Sequence, residues 1–161
     1  MNALSKTFAC IALAGLTGCT FAPFQRAEAA PPAQAIRLIM LSQEKDGGGK
    51  NCTFTAQDDV VYLNRGDHAC TNDQMSYYKL DNVRSAVKIR LESRDCDEEG
   101  GWVFELETYI DPITTPWLSI DQLRGKPIDT IISRGIIVTQ AYSGDENIKG
   151  KLSCVRVDVS D

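Results

Sequence analysis

The sequence lacks the residues and patterns on which most enzymes and nucleic-acid-binding proteins depend. It has a single histidine, His68, in the loop "NRGDHAC", and no phosphate-cradling glycine loop. A Ser-His or Cys-His nucleophile system would depend on that one residue, and a lone histidine in a polar loop is typical of a solvated side chain. Acidic residues outnumber basic ones by 22 to 17, with a net charge of −5. We therefore predict that the protein is not an enzyme and that nucleic acid is not its partner.

The N-terminus, "MNALSKTFACIALAGLTGC", has the form of a secretory signal. Lys6 precedes an apolar run that is too short to span a bilayer. The residues Leu16-Thr17-Gly18-Cys19 resemble the lipobox of bacterial lipoproteins, in which the cysteine is diacylated and becomes the mature N-terminus. The resemblance implies a signal peptide over residues 1–18 and lipidation of Cys19, and Thr20 implies an outer-membrane lipoprotein that faces the periplasm. Membrane contact would then be through the lipid anchor only.

An alternative remains open for the N-terminal segment. Cleavage near "AEAA" (27–30) would make the protein soluble in the periplasm or secreted. Residues 19–35 are rich in proline and alanine and lack a strand or helix pattern, so we predict a flexible tether there. The folded domain is then expected over residues 36–161, which is long enough for one core.

The four cysteines after the tether are even in number, in a chain that we expect to enter an oxidising compartment. Two disulfides are therefore predicted, and the sequence alone leaves three pairings possible. The cysteines are Cys52, Cys70, Cys96 and Cys154.

Helical periodicity is nearly absent, and short apolar or alternating runs recur instead. In "AVKIRLE" (86–92), Val87, Ile89 and Leu91 alternate with charged residues, as in a strand with one buried and one solvated face. Turn-forming stretches such as "KDGGGKN" separate most of these runs. We therefore predict an all-β chain with the architecture of a β-sandwich. The predicted strand regions are 35–41, 52–56, 60–63, 76–80, 86–92, 102–110, 130–142 and 153–159.

Two pairs of segments indicate an internal repeat. "AIRLIMLSQEKDGGG" from Ala35 corresponds to "AVKIRLESRDCDEEGG" from Ala86, each a strand followed by polar residues and glycines. "SYYKL" from Ser76 corresponds to "SCVRV" from Ser153. The offset grows between the two pairs by about 26 residues, which predicts an insertion in the second half, over residues 109–134.

This pattern resembles the βγ-crystallin domain, in which two Greek keys each have a hairpin ending in glycine and a polar turn before the last strand. The stretch Asn72-Asp73-Gln74-Met75-Ser76-Tyr77 is similar to the calcium motif of that family, although Tyr77 replaces its final serine. The resemblance covers residues 36–159 and implies a two-Greek-key β-sandwich. It also implies a calcium site formed by Asp73, the Gln74 carbonyl and Ser76, with help from the acidic stretch "DCDEEGG".

The second polar turn departs from the family pattern, because Lys149 and Lys151 stand where acidic or amide side chains are expected. Calcium takes six to eight oxygen ligands, so at most one weak site is predicted, and the residues favour an architectural polar turn over a calcium site. In this arrangement each turn lies beside the hairpin of its own half. The resemblance therefore implies the disulfides Cys52–Cys70 and Cys96–Cys154, which would take over the stabilising role of the cation.

Protein binding is the function that the remaining features favour. Long connections in small domains are commonly functional, and the segment 109–134 carries apolar and aromatic residues among prolines. We expect a partner to bind there, through Tyr109, Ile113, Trp117 and Leu118, unless these residues cover the end of the sandwich. The partner would be a periplasmic protein, with the chain as an inhibitor or immunity factor against a toxin or hydrolase. The alternatives are a calcium-binding module and a structural envelope component; no other cofactor is expected.

Overall fold

Ten β-strands form two antiparallel sheets in the computed structural model, which describes residues 35–160. The predicted signal peptide, Cys19 and all of the predicted tether except Ala35 lie outside the described residues. Within them, no helix is long and apolar enough to cross a membrane. The strands are β1 (Leu38–Ser42), β2 (Asn51–Thr55), β3 (Asp59–Tyr62), β4 (Tyr77–Asp81), β5 (Val87–Glu92), β6 (Val103–Thr108), β7 (Leu118–Ser119), β8 (Ile131–Ser133), β9 (Ile136–Tyr142) and β10 (Cys154–Val159).

The strand order shows two Greek keys that exchange their third strands. One sheet has the order β2-β1-β4-β7, and the other has the order β3-β10-β5-β6-β9-β8. In each half the fourth strand returns to pair with the first, as β4 pairs with β1 and β10 with β5. The third strands, β3 and β7, each pair with the fourth strand of the other half. The prediction of an all-β, two-Greek-key sandwich stapled by disulfides is confirmed.

The insertion in the second half lies later in the chain than the repeat predicted. The predicted segment 109–134 contains the third strand of the second Greek key, β7, whose two residues the sequence pattern did not reveal. The extra structure is the hairpin of β8 and β9, which pairs with β6 and adds two strands to the larger sheet. The predicted strand region 130–142 is therefore two strands, which turn at Gly135 with φ of +90°.

The core lies between the two sheets and follows the predicted alternation. Val87, Ile89 and Leu91 of β5 are buried, as are Phe104 and Leu106 of β6. Because alternate residues of a strand point to opposite faces, the charged residues of these strands lie on the outer face of the larger sheet. That face is therefore solvated.

One buried polar group in the core has no hydrogen-bond partner within the described residues. Tyr78 of β4 is 1% exposed, and its hydroxyl oxygen is buried without a partner. Desolvation by burial raises the pKa of Tyr78 above its ordinary value of about 10. An unpartnered buried hydroxyl opposes folding, so this residue offers a direct test of the packing.

The two disulfides are Cys52–Cys70 and Cys96–Cys154, with loops of 18 and 58 residues. This is the pairing that the βγ-crystallin resemblance implied. The first ties β2 to the loop before the polar turn, and the second ties the β5–β6 hairpin to the start of β10. Disulfides of this kind are typical of proteins in an oxidising compartment outside the cytoplasm.

Candidate functional site

The polar turn before β4 is held by hydrogen bonds within the chain. Asp73 has a positive φ of 52°, and its N–H donates to the Leu152 carbonyl at 3.2 Å. Ser76 is buried, and its N–H donates to the Ser42 carbonyl at 2.9 Å. The side-chain oxygen of Gln74 accepts a hydrogen bond from Gln43 at 3.0 Å. Each residue of the predicted calcium set therefore has an architectural contact within the chain.

The second polar turn brings a cation to the first one. The ammonium of Lys151 lies 3.9 Å from a carboxylate oxygen of Asp73. Both side chains are about half exposed, so this ion pair contributes little to stability. Its importance is local, because a positive charge already lies beside the one carboxylate that the predicted calcium set contains.

The backbone oxygens of Asp73 and Gln74 and the hydroxyl of Ser76 all face Gly150 of the second polar turn, at 3.7–3.9 Å from the position of an added Cβ. Asp73 lines a cleft of about 510 Å³ together with Asp95, Glu98 and Ser153, whereas Ser76 does not line it. Arg94 and Lys151 line the same cleft and oppose its negative charge. Nowhere in residues 35–160 are three or more His, Cys, Asp or Glu side chains arranged to hold a metal ion. Two cations, Arg94 and Lys151, therefore lie among the acidic residues near the expected calcium set.

The remaining acids of the "DCDEEGG" hairpin face a different cleft. Asp97 and Glu99 line a space of about 710 Å³ over the outer face of the larger sheet, and Glu98 borders both clefts. Asp97 also pairs with Arg65 at 3.2 Å. The acidic run is therefore divided between two surfaces.

A buried glutamate lies at the floor of that second cleft. Glu92 of β5 has a side chain that is 8% exposed, and one of its oxygens accepts from Arg90 Nε at 2.6 Å and from Arg156 Nε at 3.0 Å. Glu105 continues the network, at 3.9 Å from Arg90. The two guanidinium groups are thus already neutralised by carboxylates of the sheet, and this network joins β10, β5 and β6.

The loop that carries the single histidine is also structural. The Nε2 atom of His68 lies 3.0 Å from an oxygen of Asp59, and both side chains are partly exposed. In the tripeptide Arg65-Gly66-Asp67, the carboxylate of Asp67 accepts a hydrogen bond from the Tyr62 N–H at 2.8 Å. The carboxylate is used inside the loop, so the tripeptide has the geometry of a turn.

The structure divides the four predicted partner-binding residues between the core and the surface. Ile113 is 4% exposed and bridges to Val83 of the first half. Leu118 lies in β7, pairs with Tyr78 and packs against the core. The indole of Trp117 is half-buried against Gly47, where an added Cβ would lie 2.7 Å from the ring. Of the four, only Tyr109 is exposed, at 46%.

The exposed residues in this part of the chain share only Tyr109 with the predicted partner-binding set. Five of them form what we call the β8 surface: Tyr109, Lys126, Ile128, Ile131 and Arg134. Ile128 is 61% exposed and Ile131 60% exposed, so this surface holds three of the five exposed large hydrophobic residues among those described. Ile128 and Ile131 lie within the predicted insertion 109–134 but were not chosen as binding residues, and the turn that exposes Ile131 was missed because 130–142 was treated as one strand.

Comparison with known proteins identifies no family for this chain. No family model matches the sequence, and no curated protein matches it. Among solved structures, the fold is similar to the crystal structure of a double mutant of a βγ-crystallin domain from Clostridium beijerinckii. The two are 17% identical, with a TM-score of 0.39, over 74% of this chain and 94% of that one. The fold described above rests on the strand order and not on this similarity.

Proposed function

We propose that the protein is a non-catalytic binding module of the bacterial envelope, anchored through Cys19 and bound to another protein through the β8 surface. The observation that carries the proposal is the added hairpin. The β8–β9 hairpin lies outside the four-strand pattern of each Greek key, although Ile136 and Val138 of β9 are buried in the core. The hairpin adds an outermost strand with exposed Ile131, preceded in the chain by exposed Ile128, and exposed apolar groups of this kind are typical of contact surfaces.

The chemistry of the other surfaces supports binding over catalysis. His68 is paired with Asp59, and the outer-face carboxylates of Glu92 and Glu105 are paired with arginines. A general acid or base has to be placed in a cleft with access to a substrate. Asp73 and Glu92, which line the two clefts, are each paired with a cation.

The calcium-module alternative has a specific obstacle. A calcium ion at Asp73 would be repelled by the Lys151 ammonium, which lies 3.9 Å from that carboxylate. We therefore rank protein binding above calcium binding.

The test uses the full-length protein in the cells that produce it. The envelope is extracted with a mild detergent, and the assembly that contains the protein is sized by native electrophoresis. We expect a complex with a second protein, lost in Ile131→Asp and kept in the control Thr53→Asp, which places the same charge on β2, an outer strand of the other sheet. Mass spectrometry of the complex identifies the partner, and a toxin or hydrolase would indicate an inhibitor or immunity factor.

Two results would contradict the proposal. The first is a wild-type protein that migrates without any second protein under all extraction conditions. The second is a complex that survives Ile131→Asp unchanged. The anchor is tested separately, because Cys19→Ser should abolish the incorporation of labelled fatty acid and release the protein from the membrane fraction.

A further inference from the structure

We infer that the Cys52–Cys70 disulfide is a redox-sensitive latch, which a dithiol reductant opens to release the segment that it holds. We call that segment, residues 66–70, the side lid. The inference goes beyond the proposed function, because it concerns a different edge of the fold and its redox state. It follows from the position of the side lid, from the backbone strain beside Cys70 and from the different setting of the second disulfide.

The side lid lies over one side of the sandwich. It packs against β2 and β3, which are outermost strands of the smaller and the larger sheet. The disulfide ties it to β2, and on the other side the carboxylate of Asp67 accepts a hydrogen bond from the N–H of Tyr62 in β3 at 2.8 Å. The ring centre of His68 lies 5.3 Å from that of Phe54, which is buried in the core. The side lid therefore covers the core where the two sheets have these edge strands.

The backbone of the side lid is strained immediately before Cys70. His68 has a φ of +51° and Ala69 a φ of +61°, a left-handed conformation that residues other than glycine adopt only at a cost in free energy. Within residues 35–160, no other two consecutive non-glycine residues have positive φ, and no such residue lies within five positions of Cys96 or Cys154. A disulfide that holds strained structure is easier to reduce, because opening it relieves the strain.

The second disulfide lies where other contacts hold both of its cysteines. Cys154 is fully buried in β10, which pairs with β3 on one side and β5 on the other. The carbonyl of Cys96 accepts a hydrogen bond from Arg156. Its neighbours Asp95 and Asp97 are held by the loop after β3. Reduction of this disulfide therefore leaves its two sulfurs in place, and it releases no strained segment.

The latch opens by thiol–disulfide exchange. A thiolate of the dithiol attacks one sulfur of Cys52–Cys70, the bond between the two protein sulfurs breaks, and a mixed disulfide forms. The second thiol of the reductant then displaces the protein sulfur. The dithiol is oxidised to a disulfide, and its two electrons and two protons pass to Cys52 and Cys70, which become thiols. The side lid can then leave β2, and Phe54 loses its cover, while the second disulfide keeps the rest of the sandwich closed.

The test equilibrates the full-length protein, purified from the cells that produce it, with mixtures of reduced and oxidised dithiothreitol. Free thiols are alkylated and located by mass spectrometry of peptides. We expect Cys52 and Cys70 to become alkylated at a lower ratio of reduced to oxidised dithiothreitol than the cysteines of the second disulfide. In that half-reduced protein, hydrogen exchange should become faster in the side lid and in β2, and it should stay unchanged in β5 and β10.

A pair of alanine variants tests the role of the strain. Ala69→Gly relieves the strain in the closed side lid, an effect that the greater flexibility of glycine in the released lid offsets in part. We expect this variant to need an about threefold higher ratio of reduced to oxidised dithiothreitol for the same reduction. Ala86→Gly is the matched control, because Ala86 has a φ of +58° but lies in the connection between β4 and β5. It should leave the reduction of Cys52–Cys70 unchanged.

Three results would overturn the inference. The first is reduction of Cys96–Cys154 before Cys52–Cys70, or of both at the same ratio. The second is hydrogen exchange in the side lid that is no faster after reduction. The third is an equal effect of Ala69→Gly and Ala86→Gly on the reduction of Cys52–Cys70.

Discussion

Replacing Tyr78 with phenylalanine should stabilise the protein, although it removes a polar group that often makes a hydrogen bond. The Tyr78 hydroxyl is buried in the core and has no partner within the described residues. A buried unpartnered polar group costs about 1–3 kcal/mol, and the small void left by its removal offsets part of that gain. We expect a net gain of about 1 kcal/mol, which corresponds to about 4 °C in Tm for a domain of this size.

The ionisation of Tyr78 gives the same prediction a second readout. Burial raises the pKa of Tyr78 in the folded protein above its value of about 10 in the unfolded chain. Above pH 10 the unfolded chain therefore loses a proton that the folded protein keeps, and stability falls as pH rises. Below pH 10 both states are protonated, and this contribution is constant. The stability gap between Tyr78→Phe and wild type should widen above pH 10 by up to about 1.4 kcal/mol per pH unit.

The assay is urea unfolding of the purified oxidised protein, followed by tryptophan fluorescence, at neutral pH and at several values above pH 10. Tyr77→Phe is the matched control, because Tyr77 is the neighbouring residue of β4 and is only partly buried. It should change stability by less than about 0.5 kcal/mol. A clear loss of stability in Tyr78→Phe, or a gap that does not widen above pH 10, would show that the hydroxyl is hydrogen-bonded or exposed and would refute the reasoning.

Three further predictions test the remaining contacts. Glu92→Gln should lower the free energy of unfolding by about 2 kcal/mol, as measured by urea unfolding. The loss is smaller than for a fully buried ion pair because both arginines are partly exposed. An equal loss in the control Glu107→Gln would contradict this prediction. Replacing both cysteines of Cys52–Cys70 by serine should cost about 3 kcal/mol, and the longer Cys96–Cys154 loop about 4 kcal/mol; equal or reversed losses in thermal unfolding would refute the loop-length argument. Millimolar calcium should leave the wild-type Tm unchanged, because the Lys151 ammonium lies beside Asp73. Lys151→Ala removes that ammonium, so any rise in Tm with calcium that depends on Asp73 should appear in this variant. A rise in the wild-type Tm that Asp73→Ala abolishes would restore the calcium module.

The sheets could be predicted from the sequence because their strands alternate. The buried Val87, Ile89 and Leu91 of β5 and the exposed Lys88 repeat with period two, and this pattern depends only on which face meets the core. The strand β7 could not be predicted, since two residues among prolines carry no periodicity. Its pairing with β4 depends on the exchange of strands between the two Greek keys, which is a property of the whole fold.

The candidate site was less accessible to sequence reasoning. The lysines of the second polar turn were visible in the sequence, but their contact with Asp73 depends on how the two halves meet. The partner-binding residues were chosen for size and apolarity, and Ile113 and Leu118 lie inside because the same properties favour burial. Gly135 was the available signal for the exposed hairpin, since a glycine between two β-branched runs is typical of a turn.

Binding of another protein through the β8 surface is tested most directly by a photoreactive amino acid placed at Ile131 of the full-length protein in living cells. As a control, a second variant of the same protein carries the photoreactive amino acid at Thr53, on the other sheet. We predict one discrete cross-linked adduct with a single partner protein from position 131 and none from position 53. Adducts of equal yield from both positions, or no adduct from position 131 while another surface gives one, would contradict it.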